Sequence, residues 1–496
     1  MSEEPLIEYA GRFTLAGRTL REFTARGTIV NTVFLVALTS LGLIRGFVLA
    51  RFVSASDYGV WGVLLVSVGT LLFLKQVGVG DKYIQQEEED QEVAFQKAFT
   101  LEMFSALAVM VLVLIAAPIL AAAYGSKVLG PALVMALLLP GLALQAPQWV
   151  LYRRMDFVGQ RLLQSVDPIV GFVVAIGLAI AGAGYWALVA GILAGTWASA
   201  ITAVIACPYP LRFRFDRVTA RDYLSFSWPL LLVGGSGLLV AQVSIIVGTD
   251  ALGLAGAGAI TLSAAVVQFT DRVDQIVTGT LYPAICAVAD RTAVLHESFV
   301  KSNRLALIWA MPFGLGLTLF APDLVHHVLG HRWDLAILLI QAFGAIAAFN
   351  HIGFNWDAYY RARGETRPIA VVAVTVSLVF VAIAIPLMYA DGLRGLAIAM
   401  GIQAVVGLVL RAYYLRRLFA GFGLARHAVR AMAPSVPAVA AVLIARQLES
   451  GPRSSTVAAA EFCGYLALTV LATLVLERRL LREAVGYLRG TPMVAA

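Results

Sequence analysis

The chain has 496 residues, of which 60% are hydrophobic and only 14% charged, with a formal net charge of +7. A soluble domain carries about 25% charged residues, and the mean hydropathy here is +0.83. These values exclude a soluble globular protein and point to a polytopic membrane protein.

Hydrophobic runs of spanning length recur along almost the whole sequence. In hydrocarbon every backbone N–H and C=O has to be satisfied within its own segment, so the runs are helices, each needing about 20 apolar residues. Residues 1–27 form an amphipathic, arginine-bearing stretch (Arg12, Arg18, Arg21, Arg26) with no signal-peptide cleavage pattern after the first apolar run. Fourteen helices follow, numbered 1 to 14, at 28–52, 59–80, 98–123, 128–151, 162–182, 185–206, 224–249, 253–281, 303–321, 333–356, 368–389, 393–415, 429–447 and 457–476. The expected domains are an N-lobe of helices 1–6 (28–206), a connection (207–223), a C-lobe of helices 7–12 (224–416), an extra helix pair (429–476) and a tail (477–496).

The cations sort by side. One alternate set of connections holds the N-terminal stretch, Arg153/Arg154/Arg161, Arg212/Arg214/Arg217/Arg221, Arg361/Arg363/Arg367, Arg416/Arg417/Arg426/Arg430 and the tail with Arg478, Arg479, Arg482 and Arg489. The other holds little beyond Arg51, Lys127, Arg332, Arg394, Arg446 and Arg453. The positive-inside rule makes the richer set cytoplasmic and, with an even helix count, both termini as well. This pattern accounts for the net charge without a nucleic-acid partner. The acidic run Glu87, Glu88, Glu89, Asp90, Glu92 reads as a solvated surface. Cys207, Cys286 and Cys463 lie far apart in or beside apolar runs and read as buried thiols, neither a disulfide framework nor a metal site.

Helices 1–6 and 7–12 look like two copies of one unit. Ala117-Pro118-Ile119-Leu120 closes helix 3 and Ala321-Pro322-Asp323-Leu324 closes helix 9; Tyr58-Gly59 and Leu252-Gly253 open helices 2 and 8. Gln148-Trp149 with Tyr152 and Arg154 matches Asn355-Trp356 with Tyr359 and Arg361, and Asp167-Pro168-Ile169 matches Arg367-Pro368-Ile369. Six helices per copy is even, so the repeats run parallel, related by an axis along the membrane normal. The expected architecture is therefore an all-α membrane protein of about 14 transmembrane helices, with two parallel six-helix repeats forming two lobes around a central cavity, plus a C-terminal helix pair.

An ionisable group in a spanning helix is costly and faces a wet cavity or a partner. Asn31, Leu38, Gly42 and Arg45 share one face of helix 1, Lys75 lies in helix 2, and helix 8 carries a polar stripe of Gln268, Asp271/Arg272, Gln275 and Tyr282, with Asp274 beside it. Two readings stand. In one, Arg45, Lys75 and Arg272 line a cationic cleft for an anion, phosphate above all. In the other, Arg272 is neutralised by Asp271 or Asp274, and Arg45 by a carboxylate on another helix. Asp271, Asp274 and Asp250 are candidates for a coupling ion, H+ or Na+, although Asp250 at the outer end of helix 7 also reads as interfacial. His326, His327 and His331 follow helix 9 without an acidic cluster, so neither a metal site nor a cofactor is expected.

The junction Ala50-Arg51-Phe52-Val53-Ser54-Ala55-Ser56-Asp57-Tyr58-Gly59, followed by Gly78-Val79-Gly80 and Tyr83-Ile84-Gln85, resembles the polysaccharide-transporter branch of the multidrug/oligosaccharidyl-lipid/polysaccharide exporter superfamily. Leu252-Gly253-Leu254-Ala255-Gly256 through Leu281-Tyr282-Pro283, and Gly330-His331-Arg332-Trp333, extend the resemblance over helices 1 to 12. Lys75-Gln76 departs from the family, where an acid is common before the glycine turn. The resemblance implies a flippase, not an enzyme, moving an undecaprenyl-pyrophosphate-linked oligosaccharide across the bacterial cytoplasmic membrane for surface polysaccharide synthesis. It implies that Arg45, Lys75 and Arg272 meet the pyrophosphate, that Asn31, Gln268, Gln275, Gln148 and Asn355 line the path, with Trp149 and Trp356 reading also as interfacial anchors, and that the chain works as a monomer beside a polymerase and export machinery. A lipid II flippase and an ion-coupled multidrug antiporter are the alternatives. A membrane enzyme would need a large outer loop, and every outer connection here is short.

Overall fold

The computed structural model describes residues 40–75, 79–85, 88–154, 156–274, 290–365, 367–449 and 453–488, with 34, 37, 38, 277, 278, 281 and 285 besides; the predicted segment 1–27 lies outside them. All regular elements among the described residues are helical. Eleven helices are long and apolar enough to cross a membrane, and a bent pair, Leu424–Met432 and Val436–Leu448 at 57°, adds a twelfth. One of the eleven, Gly237–Asp274, is broken at Gly253 (φ 70°, ψ −174°) and so holds predicted helices 7 and 8. Residues 40–52 are the described end of predicted helix 1, and the other thirteen predicted spans each have a counterpart among the described residues. The chain is an all-α multi-span membrane protein.

Three helices differ from the straight spans expected. Helix 4 is a series of short pieces, Leu129–Met135, Leu138–Ala143 and Pro147–Arg153, because Pro140 and Pro147 remove backbone donors. Helix 10 breaks between Asp334–Asn350 and Trp356–Ala362. Helix 13 bends at Ala433-Pro434-Ser435 for the same reason as helix 4. Helix 3 starts at Gln91, earlier than expected, because Asp90 accepts hydrogen bonds from the Glu92 and Val93 amides at 3.1 Å. Part of the acidic run is thus a helix cap. Helix 9 likewise starts earlier, at Thr292. Cys463 is exposed on helix 14 rather than buried, and Cys207 is half-buried. A span facing acyl chains has no need to bury an apolar thiol in protein.

The chain divides into two compact units, Met1–Arg45 with Ser67–Gly234 and Gly46–Val66 with Gly235–Ala496. The boundary falls within helices 1, 2 and 7. The first part of helix 2 joins the second unit through backbone contact: a Cβ on Gly59 would stand 1.8 Å from the Leu254 carbonyl oxygen, and one on Gly258 would stand 2.0 Å from that of Ala55. Small residues permit this approach, which replaces the hydrophobic drive that lipid removes. Beside it the wholly buried Trp333 donates its indole N–H to the Ala50 carbonyl at 2.7 Å and meets the Tyr58 ring edge-on at 5.3 Å.

The repeat is visible in backbone angles. Gly125 (φ 98°, ψ 156°) and Gly330 (φ 97°, ψ 155°) each end a proline-bearing helix and start a single 3₁₀ turn. Gly184 (φ 57°, ψ −134°) and Gly392 (φ 57°, ψ −128°) open helices 6 and 12. One difference stands out: Pro118 precedes Gly125 by seven residues, whereas Pro322 precedes Gly330 by eight. The extra residue is absorbed by a π-helical turn at Leu324–Leu329. There Gly330 bonds to the Val325 carbonyl five residues back, whereas Gly125 bonds to Ala121 four back.

Helix 14 (Ser455–Leu476) is fastened to helix 9 at three levels. Arg304 donates to both Glu477 oxygens, one at 2.6 Å. The Tyr465 hydroxyl donates to the Pro312 carbonyl at 2.7 Å. At the far end Asp323 accepts from Arg453 at 2.5 and 3.0 Å and from Arg446 at 3.3 Å, and both arginines also bind Glu461. Its other side turns Leu466, Val470 and Leu474 outward, as a lipid-facing surface does.

A Gly59→Ala replacement should lower the unfolding midpoint in detergent, at a cost of about 1–3 kcal/mol from forced backbone separation. Gly69→Ala, where a Cβ meets nothing within 4 Å, should leave the midpoint unchanged or raise it slightly.

Candidate functional site

In the second unit the site is built around the break in helix 10. Gly353 (φ 72°) interrupts the helix and releases backbone groups that hydrocarbon cannot satisfy. Arg411 of helix 12, itself buried, donates to the carbonyls of Asn350 and Ile352 (3.0 Å for the latter) and to the Asn350 side-chain oxygen at 3.0 Å. Asn303 of helix 9 donates to the His351 carbonyl at 3.0 Å and accepts from the Gly353 amide at 2.9 Å. The His427 ring completes this set, 2.8 Å from Asn303 Oδ1.

The break carries His351 to the end of helix 8. Its Nε2 lies 3.1 Å from Asp271 Oδ1, and its Nδ1 lies 2.7 Å from the Ala347 carbonyl. A carbonyl accepts only, so Nδ1 holds the proton and Nε2 faces the carboxylate. Asp274 is buried nearby, accepts from the Thr278 hydroxyl at 3.3 Å, and lies within electrostatic range of His351 and Arg411. Arg272 is half-buried, reaches Gln268 Oε1 at 3.4 Å and lies 5.8 Å from the Phe269 ring centroid. Below the break, Asn355 donates to Ser302 at 2.8 Å, and Ser302 pairs with the Tyr359 hydroxyl at 2.9 Å. Tyr360, outside the spans, donates to the Tyr414 carbonyl, and burial pushes its phenol up to about 12.

In the first unit Arg45 meets helix 5. Its guanidinium stands 3.5 Å from where a Gly171 Cβ would lie, and its charge acts on Asp167, which also hydrogen-bonds Thr196. Helices 5 and 6 approach through Gly171, Ala175, Gly191 and Gly195; a Cβ on Gly195 would lie 2.5 Å from Asp167 Oδ1. Glycine at those positions thus leaves room beside both Arg45 and Asp167.

The expected residues therefore fall as follows. Arg45 has a carboxylate neighbour on another helix. Arg272 leans on Gln268 and Phe269, while Asp271 turns to His351. Lys75 ends its helix, but its side chain, like Asn31 and Gln275, lies outside the described residues. Asp250 stands at the end of helix 7, before the break at Gly253 and apart from Asp271 and Asp274, where it accepts from the Tyr389 hydroxyl at 2.7 Å. Gln148 reaches Ser199 at 3.4 Å, and Trp149 packs against Gly80 and Tyr83. Asn355 and Trp356 are buried within the second unit. His351, Arg411, Asn303 and Asp167 are additions. Their signal was a polar residue in an apolar run, the same signal that marks Arg45.

The family profile described as "Polysaccharide biosynthesis protein" matches residues 48–338. The lipopolysaccharide biosynthesis protein WzxC of Escherichia coli (strain K12) is 23% identical over 68% of this chain and 69% of its own length. The succinoglycan biosynthesis transport protein ExoT of Rhizobium meliloti (strain 1021) is 23% identical over 58% of this chain and 59% of its own. Among solved structures, the lipid II flippase MurJ in an inward closed conformation has a TM-score of 0.71 at 14% identity, covering 92% of this chain and 99% of that one. An inward-facing MATE multidrug transporter of the MOP superfamily scores 0.62 at 14% identity, over 79% and 98%.

Arg411→Met should lower the unfolding midpoint markedly, at a cost of about 3–5 kcal/mol for breaking a buried charge network. An unchanged midpoint in thermal unfolding would mean that the broken helix is satisfied without the guanidinium.

Proposed function

Because the chain belongs to the family of polysaccharide biosynthesis proteins, we propose that it is a flippase for a polyprenyl-pyrophosphate-linked oligosaccharide. It carries the repeat unit from the cytoplasmic to the outer leaflet by alternating access, exposing the loaded site first to one side and then to the other. The relatives named for lipopolysaccharide and succinoglycan biosynthesis support the substrate class. The fold likeness that covers nearly the whole chain is to a lipid II flippase, and the likeness to a multidrug transporter covers less.

The observation that carries the reading is the pair of half-buried guanidiniums, Arg45 and Arg272, held within spanning helices. A sugar pyrophosphate cannot enter hydrocarbon unaided, and guanidinium offers planar, charge-assisted hydrogen bonds to phosphate oxygens. Its five N–H donors allow Asp167 and a phosphate to share Arg45. Lys75 adds a third cation, and Gln268, Gln148 and Gln275 serve the sugars. The polyprenyl tail stays in lipid. The reading places the chain in a bacterial cytoplasmic membrane with both termini in the cytoplasm, as a monomer working between glycosyl transfer and a polymerase, with no covalent step of its own.

His351 with Asp271 and Asp274 is the coupling site in this proposal. One proton added to Nε2 turns the 3.1 Å contact into a charge-assisted hydrogen bond. Proton occupancy then changes the charge at the end of helix 8, next to Arg272.

Export of lipid-linked oligosaccharide should fall at least about tenfold in Arg45→Ala with normal membrane levels, the loss of one charge-assisted contact. Arg45→Lys should keep part of it. Full export in Arg45→Ala would remove Arg45 from the site, and preferential uptake of lipid II or cationic dyes would replace the substrate class. In Asp271→Asn, transport should stop responding to an imposed pH gradient; an intact response would discard this coupling site.

A further inference from the structure

The π-helical turn at the end of helix 9 gathers three side chains that the transport reading does not use. His326 lies in that turn, His331 opens the 3₁₀ turn after Gly330, and Asp334 begins helix 10. His326 Nε2 stands 3.4 Å from Asp334 Oδ1, and His331 Nδ1 stands 3.6 Å from the same oxygen. The three ligand atoms all lie within 4.8 Å of one another. Hydrogen-bonded ion pairs with a carboxylate close to about 2.7–2.9 Å. Two atoms each about 2.0–2.1 Å from a tetrahedral zinc ion stand about 3.4 Å apart. The two histidine–aspartate spacings match that separation, while the whole set spans up to 4.8 Å, so holding one ion requires the exposed imidazoles to turn inward.

The first copy of the repeat supplies a control. It makes the same turn, with the same glycine angles, yet carries Ser126 and Leu129 where the second copy carries His331 and Asp334. The turn therefore does not require these residues. The one-residue expansion that brings His326 round to face His331 is confined to the copy that has the ligands. π-Bulges of this kind recur at functional sites.

We propose that His326, His331 and Asp334 bind a divalent transition-metal ion of the zinc class. Two imidazoles and one carboxylate make a three-ligand site that leaves a position for water. All three side chains are exposed, and Asp334 also borders an open hollow of about 520 Å³ with Leu335, Asp391 and Arg394, which leaves the ion a path in. Arg51 and Arg332 approach Gly330 and oppose a cation, so the site is one of moderate affinity. The bound ion ties the end of helix 9 to the start of helix 10, beside Trp333 and the 50–58 junction on which Trp333 packs.

The test is calorimetric titration of tag-free, full-length protein in detergent with zinc chloride, supported by the visible spectrum of the cobalt-loaded form. The expectation is one ion per chain, a higher unfolding midpoint with zinc, and a ligand-field band with cobalt. Losing an outer-sphere partner already weakens metal sites about 10–100-fold, so His326→Ala, His331→Ala and Asp334→Asn should each weaken binding at least about tenfold. Each should keep the metal-free midpoint, because the groups are exposed. His327→Ala should bind as the parent does. Absence of saturable binding, equal binding by the triple variant, or an equal loss in His327→Ala would overturn the assignment. The site stands apart from the transport reading, and failure of either leaves the other intact.

Discussion

A backbone group released inside hydrocarbon has to find its partner within the protein, and the second unit is organised around that demand. Breaking helix 10 at Gly353 frees carbonyls, and a guanidinium from helix 12 and an amide from helix 9 close them again. Both therefore have to be present, and the apolar interior acquires a charge it would otherwise avoid. That charge has to be balanced, which places Asp274, Asp357 and the His351–Asp271 contact within reach. The polar cluster follows from the broken helix.

The first unit meets the same demand with neutral groups. Helix 4 is also interrupted, and the carbonyl of Leu137 is taken up by the Trp197 indole of helix 6 at 3.1 Å, while Gln145 donates to the Thr196 carbonyl at 3.2 Å. Matching helices are interrupted in both copies, but the second closes its break with arginine and asparagine, whereas the first uses an indole. The copies share backbone geometry at their glycines and differ in the charge gathered at their breaks. The first unit instead keeps its charge on Arg45 and Asp167, at the seam where glycines let helices 5 and 6 close.

What was legible in the sequence was local. Fourteen spans follow from runs of apolar residues, and the repeat from Pro and Gly punctuation, which has the same backbone consequence wherever it occurs. Gly125 and Gly330 share φ and ψ within a degree because only glycine tolerates that turn. The breaks in helices 4 and 13 were signalled by Pro140, Pro147 and Pro434 yet read as continuous, since hydropathy averages across them. Pairings were not legible. Asp167 is separated from Arg45 by three intervening helices, and His326 stands eight residues before Asp334 until the π turn folds it back. Arg411 was visible as an arginine within a predicted span, and the rule that singled out Arg45 applied to it equally.

The three-level attachment of helix 14 to helix 9 has a mechanical meaning. Helix 9 carries Pro312 and Pro322, the residues at which a long helix bends most cheaply. Bending at either would change the span between Arg304 and Asp323, and that span is matched by a straight helix fastened at Glu477 and, through Arg453, at Glu461. The extra pair thus acts as a splint: it denies helix 9 its two natural hinges and makes it a rigid strut. Whatever moves during a transport cycle, flexing in this unit is shifted to joints that no such brace spans.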